Sequence, residues 1–206
     1  MPIFRKNIPK RRKVSKNVKS YKSHRKKLVA DFNHRCGYCD CIDSFRRISY
    51  EIDHFIPKAY LKKVFLSLKE YELEEQRYSN LVYSCQSCNN AKGENWPSNS
   101  MVNSYINNIG FIDPCNPEYD NQFSRNENGE IIPQTKLGKW IHDTLNLEKP
   151  EHSIIWHLEQ LDMTIKEIKN IPKKNKKPQL KLKLNKLCLQ YYEYDARLRE
   201  YNSNDK

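Results

Sequence analysis

The stretch NLVYSCQSCNNAKG, residues 80–93, contains a strand signal, a cysteine pair and a helix signal in immediate succession. Its first part, LVYSC, has the β-branched and aromatic residues that are typical of a short extended segment. A helix is predicted to begin near Gln86 and to stop at Gly93, because glycine commonly ends helices. Cys85 and Cys88 form a CxxC pair at the junction. The pattern predicts a strand that enters a metal-binding knuckle and leaves it as a helix.

A second CxxC pair, Cys36 and Cys39, lies upstream of the first strand signal. Two such knuckles are typical of a tetrahedral Cys₄ zinc site, in which thiolates neutralise the ion and close its shell. A disulfide frame is not expected in a reducing compartment. A redox role is the alternative, but no thioredoxin-like setting surrounds either pair. His34 is an alternative ligand, although four cysteines are available without it. Three of the seven cysteines are left over: Cys41, Cys115 and Cys188.

Between the knuckles lies YEIDHFIP, residues 50–57, which is predicted to be a strand ended by Pro57. Asp53 and His54 are neighbours, and neighbouring strand residues point to opposite faces. A bend near Pro57 allows both to border one cleft. Taken alone, a histidine beside a carboxylate is more often structural than catalytic. Glu51 shares a strand face with Asp53; it is either a second acid near a metal or a surface charge, and we favour the surface charge.

The order CGYC, EIDHFIP, NLVYSCQSCNNAKG across residues 36–93 resembles the HNH endonuclease family, whose ββα-metal motif is flanked in many members by two CxxC knuckles. The resemblance implies an α+β fold with a ββα-metal core stapled by a Cys₄ zinc site. It also implies that His54 is the general base of phosphodiester hydrolysis. Asp53 and Asn89 correspond to the family's ligands for a catalytic metal.

Two further positions match the family pattern. Asn80 corresponds to the residue that ties the ββ loop together and helps to orient the base, and its alternative is a turn residue. Lys92 corresponds to a cation that contacts phosphate, and its alternative is a solvated helix residue. The family's segment between His54 and Asn80 is shorter in compact members, so residues 58–79 are predicted to be a helical insertion.

The chemistry explains why these residue types occur together. Cutting a phosphodiester needs an activated water, stabilisation of charge on the phosphoryl oxygens, and help for the leaving oxygen. A histidine base supplies the first need, and a divalent metal supplies the other two. Mg²⁺ prefers oxygen ligands and keeps several waters, which a carboxylate and an amide permit. Many members have histidine where this chain has Asn89, and the amide oxygen favours Mg²⁺ or Mn²⁺ over zinc.

The excess charge is confined to one end of the chain. Residues 1–30 contain twelve Lys and Arg and no Asp or Glu, which equals the whole net charge of +12. Such a block is expected to stay extended and to contact DNA phosphates by counterion release. The alternative is a solubilising tail. A second cationic run, from Lys173 to Lys186, alternates with leucines and carries less weight because a solvated helix or strand face also explains it.

The chain is predicted to have three parts. Residues 1–30 are a basic arm, residues 31–100 are the nuclease core, and residues 101–206 are a mainly helical extension. A helix predicted over residues 21–35 crosses the boundary between the arm and the core. The extension contains a hairpin signal at NENGEIIP followed by amphipathic helices. His142, His152 and His157 are interpreted as packing or surface residues of these helices.

The extension, with GFIDPCNPEYDNQF before its hairpin, is loosely similar to nuclease subunits of bacterial antiphage systems such as Septu. That similarity implies antiviral defence and an ATPase or other defence-system partner. No apolar run approaches the roughly 18 residues of a membrane helix, and no secretory signal is evident, so a cytoplasmic location is the default. The alternative function, from a different class, is a zinc-stapled nucleic-acid-binding module that does not cut.

Overall fold

The computed structural model of the protein describes residues 3–14, 18–45, 50–172 and 178–204. Helices combine with short antiparallel strand pairs, which confirms the predicted α+β class. Within these ranges the α-helices, α1 to α7, are Arg25–Asp31, Lys58–Val64, Leu68–Glu75, Gln86–Lys92, Lys136–Thr144, Pro150–Asn170 and Pro178–Asn204. The strands, β1 to β6, are Tyr50–His54, Leu81–Cys85, Tyr105–Ile106, Ile109–Gly110, Phe123–Arg125 and Ile131–Pro133.

The antiparallel pair of β1 and β2 lies at the centre of the region between residues 31 and 100. Its register places Asp53 opposite Val82 and His54 opposite Leu81. Every residue of β2 is buried, which suits its β-branched and aromatic sequence. Helix α4 follows β2 without a loop, contacts both strands and ends at Gly93, whose φ of +51° favours glycine. The predicted succession of strand, knuckle and helix is confirmed.

Helix α1 packs on β2 and delivers the chain to the first knuckle. It is preceded by a 3₁₀ turn at Tyr21–His24 and is shorter than predicted, because Asn33 and His34 adopt left-handed backbone angles that a helix cannot continue. Gly37 is required where the knuckle passes the helix. A Cβ atom there would lie 2.7 Å from the ring of Phe32, closer than van der Waals contact allows.

Residues 3–14, here called the N-terminal strap, lie against the core, although we expected a solvated arm. Arg5 is only 5% exposed. Its guanidinium donates to the carbonyl oxygens of Gly37 at 3.0 Å and Pro114 at 2.6 Å, and to the carboxylate of Asp120 at 2.5 Å. This arginine therefore ties the first knuckle to the C-terminal part of the chain.

Two other arginines of the strap are also paired internally. Arg11 donates to the carbonyl oxygen of Leu81 at 2.6 Å and to both carboxylate oxygens of Asp113. Arg12 forms an ion pair with the buried carboxylate of Asp31. The expectation that all these cations extend into solvent is wrong for Arg5, which is buried, whereas Arg11 is half-buried and Arg12 is exposed although it is paired. The cations of residues 3–30 that are exposed or half-buried are Lys6, Lys10, Arg11, Arg12, Lys13, Lys19, Lys22, Arg25, Lys26 and Lys27, and Lys16 lies outside the described residues.

The segment 58–79 is helical as predicted, but it is broken into α2 and α3 by an extended backbone at Phe65. The break changes which face is buried. Leu61 is buried, whereas Val64 is 39% and Leu68 is 71% exposed. The apolar residues of this segment therefore do not form a continuous core face.

The extension contains the predicted hairpin, formed by β5 and β6, after the short pair of β3 and β4. Its turn contains Gly129 at φ +72°, where a Cβ atom would lie 2.5 Å from the ring of Trp156. Helices α6 and α7 then pack on each other over much of their length. Residues 173–177, which are part of the second cationic run, lie outside the described residues. Buried residues of α6 include Ile154, Ile155, Leu158 and Ile165.

One cluster of buried apolar side chains runs through all three predicted parts, from Phe4 to Leu198. The strap and the extension therefore share a core with the knuckles, while the division at residues 30 and 100 stays a prediction. None of the helices described in the structure is long and apolar enough to cross a membrane.

Candidate metal centre and cleft

The two CxxC pairs converge on one buried point. Cys36 and Cys39 come from the loop after α1, Cys85 ends β2, and Cys88 lies in the first turn of α4. Their four sulfurs all lie within 4.8 Å of one another, and the Sγ atoms of Cys39 and Cys85 are 3.8 Å apart. A tetrahedron with zinc–sulfur bonds of about 2.3 Å has edges of about 3.8 Å. The four cysteines can therefore hold a structural metal ion such as zinc.

The protonation of the cluster also points to a cation. Burial raises the pKa of Cys39 well above its usual value, and hydrogen bonds with neighbouring thiols add to the effect. Burial opposes ionisation of Cys36 as well, but hydrogen bonds from the other three thiols lower its pKa well below the usual value. Burial therefore opposes the ionisation of these thiols. A bound cation is what allows the remaining thiols to ionise.

A smaller group adjoins this centre. Cys41 places its Sγ 3.5 Å from Nδ1 of His152, and these two residues with Cys39 form a second set of donors within 4.8 Å. His152 was interpreted as a packing or surface residue, and it is buried on α6. His34, the alternative ligand, is exposed and lies 3.3 Å from Asp43. The cysteine centre therefore connects to the extension through α6.

Beside the cysteine centre, a cavity of about 750 Å³ opens between β1, α4 and the segment that precedes α1. Two rows of polar residues form its floor. Glu51 and Asp53 are two residues apart on β1 and face α4, where Asn89 and Lys92 are one turn apart. Asp53, His54, Asn89 and Glu51 all line the cavity. Asp53 and His54 therefore border one cleft, as predicted, and strand β1 remains regular up to His54.

Asp53 is already held by two donors. The hydroxyl of Tyr38 donates to Oδ2 of Asp53 at 2.5 Å, and Nζ of Lys92 donates to Oδ1 at 3.2 Å. Lys92 also donates to the carbonyl oxygen of His54 at 2.9 Å. Burial, reinforced by the neighbouring carboxylate, raises the pKa of Tyr38 well above its usual value and keeps it a donor.

Lys92 does not occupy the position that either sequence interpretation implies. Its side chain is 0% exposed, so the ammonium lies beneath the cavity floor and faces no solvent. A phosphate contact or a solvated helix residue would both be accessible. In this structure Lys92 is the internal counter-ion of Asp53.

Asn89 and Glu51 form the second contact of the floor. The Nδ2 atom of Asn89 donates to Oε2 of Glu51. Both residues are half-buried, in contrast to the buried Asp53. The preferred interpretation of Glu51 as an ordinary surface charge is therefore not what the structure shows.

His54 is fixed by the insertion. Its Nε2 lies 2.9 Å from the carbonyl oxygen of Glu75 at the end of α3, and the ring of Tyr21 packs edge-on at 4.7 Å. Since a carbonyl oxygen only accepts, this contact places the proton on Nε2 and leaves the lone pair on Nδ1. Burial lowers the pKa of His54 below its usual value. The imidazole is therefore neutral at pH 7 and can accept a proton.

Asn80 closes the loop between β1 and the insertion. Its Oδ1 accepts from the backbone N–H of Ile56 at 2.8 Å, and its Nδ2 donates to the carbonyl of the same residue at 3.1 Å. Its own carbonyl accepts from the N–H of Phe55 at 2.8 Å. These bonds fix the chain directly after His54, which is the loop-tying position that the family resemblance implies for Asn80.

The mouth of the cavity is cationic. Lys22 and Arg25 approach from the helical turns before and within α1, and Lys58 approaches from the start of α2. The aromatic ring of Tyr21 lies among them, 5.7 Å from Nζ of Lys58. A cleft with acidic and amide oxygens on its floor and cations at its rim suits a phosphate group that bridges the two.

Sequence reasoning missed two contributors to this site, Tyr38 and the carbonyl of Glu75, and did not favour a role for a third, Glu51. Tyr38 lies between the two cysteines of the first knuckle, so its proximity to the core was readable but its hydrogen bond to Asp53 was not. Glu51 was recognisable from its spacing to Asp53. The carbonyl of Glu75 gives no sequence signal at all, because every residue has one. Within the described ranges, the groups of three or more His, Cys, Asp or Glu donors that converge within 4.8 Å are the two at Cys39.

No family model, curated protein or solved structure matches the chain.

Proposed function

We propose that this chain is a metal-dependent HNH-type endonuclease that hydrolyses phosphodiester bonds in DNA. The observation that carries the proposal is the state of His54. A neutral imidazole with a bare Nδ1 lies in a cavity with hard oxygen donors on its floor and cations at its mouth. This combination supports both a base and a place for the phosphate that it attacks.

In this proposal His54 removes the proton from the attacking water. The hydrogen bond to the Glu75 carbonyl holds the ring and becomes stronger when the ring gains its positive charge. Asn80 keeps the following loop in place, so the ring cannot swing away with Ile56. A positioned base of this kind contributes about 10²–10⁴-fold to the rate.

The donor chemistry of the floor fits Mg²⁺ or Mn²⁺ better than zinc. The available atoms are carboxylate and amide oxygens, principally from Asp53 and Asn89, and the cavity is large enough for the waters that such an ion keeps. When bound, the ion would supply Lewis-acid stabilisation of phosphoryl charge. The structural zinc assigned to the cysteine centre is a separate site with sulfur donors only.

The cations at the rim give the substrate its approach. Lys22, Arg25 and Lys58 lie on the wall of the same cavity that contains His54. Lys22 and Arg25 belong to the basic arm that was expected to contact DNA, whereas Arg5 and Arg11 of the same arm are paired internally. Contacts of this type supply affinity without sequence selectivity.

Antiviral defence and an ATPase or other defence-system partner rest on the resemblance alone and stay predictions. The cytoplasmic location, which was the default in the sequence analysis, also stays a prediction. The exposed α7 offers surface for a partner, with Leu189 and Tyr192 each 66% exposed, but nothing identifies what would cover it.

The alternative is a nucleic-acid-binding module that is stapled by zinc and does not cut. The cysteine centre and the rim cations serve either function. A binding module has no need of a histidine with a fixed tautomer at the base of a cavity, so His54 separates the two.

The test is cleavage of supercoiled plasmid by zinc-loaded protein with added Mg²⁺ or Mn²⁺. We expect His54→Ala to lose at least about 10²-fold in rate, while His34→Ala, an exposed histidine outside the cavity, keeps wild-type cleavage. A wild type that binds DNA but does not cut with either ion would favour the binding module. Undiminished cleavage by His54→Ala would disprove the assigned base.

A further inference from the structure

The charges on the cavity floor leave the expected ligand pair without net negative charge. The carboxylate of Asp53 is paired with the ammonium of Lys92, and their side chains are 7% and 0% exposed. Asn89 carries no charge. A dication held by Asp53 and Asn89 alone would therefore share its single carboxylate with a buried cation, and two like charges at such range repel strongly.

Glu51 corrects this balance. It lies two residues from Asp53 on the same face of β1, and its Oε2 accepts from Nδ2 of Asn89. Its carboxylate is half-buried at the cavity wall, so a hydrated ion from solvent meets Glu51 before the buried Asp53. No ammonium or guanidinium is paired with it in the part of the chain that the structure describes.

The contact between Glu51 and Asn89 brings together two side chains that can each offer an oxygen ligand. Neighbouring oxygen ligands of an ion with bonds of about 2.1 Å lie about 3 Å apart, which is hydrogen-bond distance. The Nδ2 atom of Asn89 faces the carboxylate and donates to its Oε2. Rotation of the amide by half a turn presents Oδ1 instead, with no change in side-chain position.

From these observations we infer that Glu51 is a ligand of the divalent ion, paired with Asn89, and that it supplies the net negative charge of the site. The inference rests on the proposed function for the identity of the ion as Mg²⁺ or Mn²⁺. Asp53, neutralised by Lys92 and held by Tyr38, then borders the ion from the buried side of the floor.

The test is direct binding of Mn²⁺ to zinc-loaded protein without nucleic acid. Binding is measured as the loss of the electron paramagnetic resonance signal of free Mn²⁺. Loss of an outer-shell partner typically weakens metal affinity by about 10–100-fold, so removal of a direct ligand is expected to cost at least about tenfold. Glu51→Gln keeps the shape and the acceptor for Asn89 but removes the charge. Glu94→Gln is the matched control, since Glu94 lines the same cavity and is exposed.

We expect Glu51→Gln to weaken Mn²⁺ binding at least about tenfold, and Glu94→Gln to bind as the wild type does. Glu51→Asp, which keeps the charge, should retain part of the affinity, and it continues the test if Glu51→Gln fails to fold. Equal affinity in Glu51→Gln and wild type, or no Mn²⁺ binding by the wild type at millimolar concentration, would overturn the inference.

These readouts separate the inference from the proposed function. If Glu51→Gln loses Mn²⁺ binding while the wild type cuts no DNA, the metal site stands and the nuclease proposal fails. If Glu51→Gln binds Mn²⁺ normally and His54→Ala loses cleavage, the nuclease proposal stands without Glu51 as a ligand.

Discussion

Removal of Lys92 should reveal how much the buried ion pair contributes to the free energy of unfolding. The pair of Lys92 and Asp53 is separated by 3.2 Å, with both side chains almost wholly enclosed. At an effective dielectric constant of about 20, the attraction at this distance is about 5 kcal/mol. Lys92→Met leaves the carboxylate with only the Tyr38 hydroxyl as a partner. We expect the free energy of unfolding to fall by about 3–5 kcal/mol, the usual cost of leaving one buried charge unpaired.

The double-mutant cycle with Asp53→Asn sharpens this prediction. Each single variant leaves one unpaired charge, whereas Asp53→Asn/Lys92→Met leaves none. The double variant should therefore lose much less stability than the sum of the two single losses. The assay is urea denaturation of zinc-loaded protein, followed by circular dichroism and extrapolated linearly to zero denaturant.

Additive losses within about 0.5 kcal/mol would refute the counter-ion role of Lys92.

The pH dependence of cleavage should report on His54. Because burial holds the pKa of His54 below its usual value, the rate of DNA cleavage should be flat near pH 7 and fall about tenfold per pH unit below that pKa. A rate that rises as the pH falls would mean that the protonated ring is the active form. Removal of the metal from the cysteine centre should lower the thermal midpoint of unfolding by at least about 10 °C, since each kcal/mol of stability is worth about 2–4 °C at this chain length. Elemental analysis checks the metal content before and after removal against an expected single zinc per chain. An unchanged midpoint would show that the centre is not structural. Arg5→Ala should cost about 3–5 kcal/mol in unfolding because Asp120 and two carbonyls lose their donor, whereas the exposed neighbour Lys6→Ala should stay within about 0.5 kcal/mol; equal effects would mean that the strap is not anchored by Arg5.

The parts of the molecule that sequence reasoning predicted well are those with local signals. The junction from β2 through Cys85 and Cys88 into α4 is continuous, and each step has its own residue preference. The convergence of two CxxC pairs follows from the valence of a tetrahedral ion, which needs four ligands wherever they lie in the chain. Asn80 and His54 lie next to this junction, and the order of motifs in the sequence was enough to predict that they lie close together.

The parts that sequence reasoning did not predict depend on contacts between distant residues. Arg5 and Arg12 have the same local character as the exposed lysines around them, and only the position of Asp120 and Asp31 in space distinguishes them. The burial of Lys92 depends in the same way on Asp53 across the floor. The periodicity of a helix predicts on which face of the helix a residue lies, but it does not predict which charged residue of another element contacts that face.

The strap imposes an order on the synthesis of the protein. The guanidinium of Arg5 meets Pro114 and Asp120, and that of Arg11 meets Asp113, so partners are separated by 102 to 115 positions. During translation, the first dozen residues emerge long before these partners exist, and their cations stay solvated until then. The two knuckles can assemble around their metal once α4 has left the ribosome, but the strap can close over them only after residue 120 has followed. The nascent chain therefore passes through a stage in which its metal centre is formed and its N-terminus is still an open, highly charged tail.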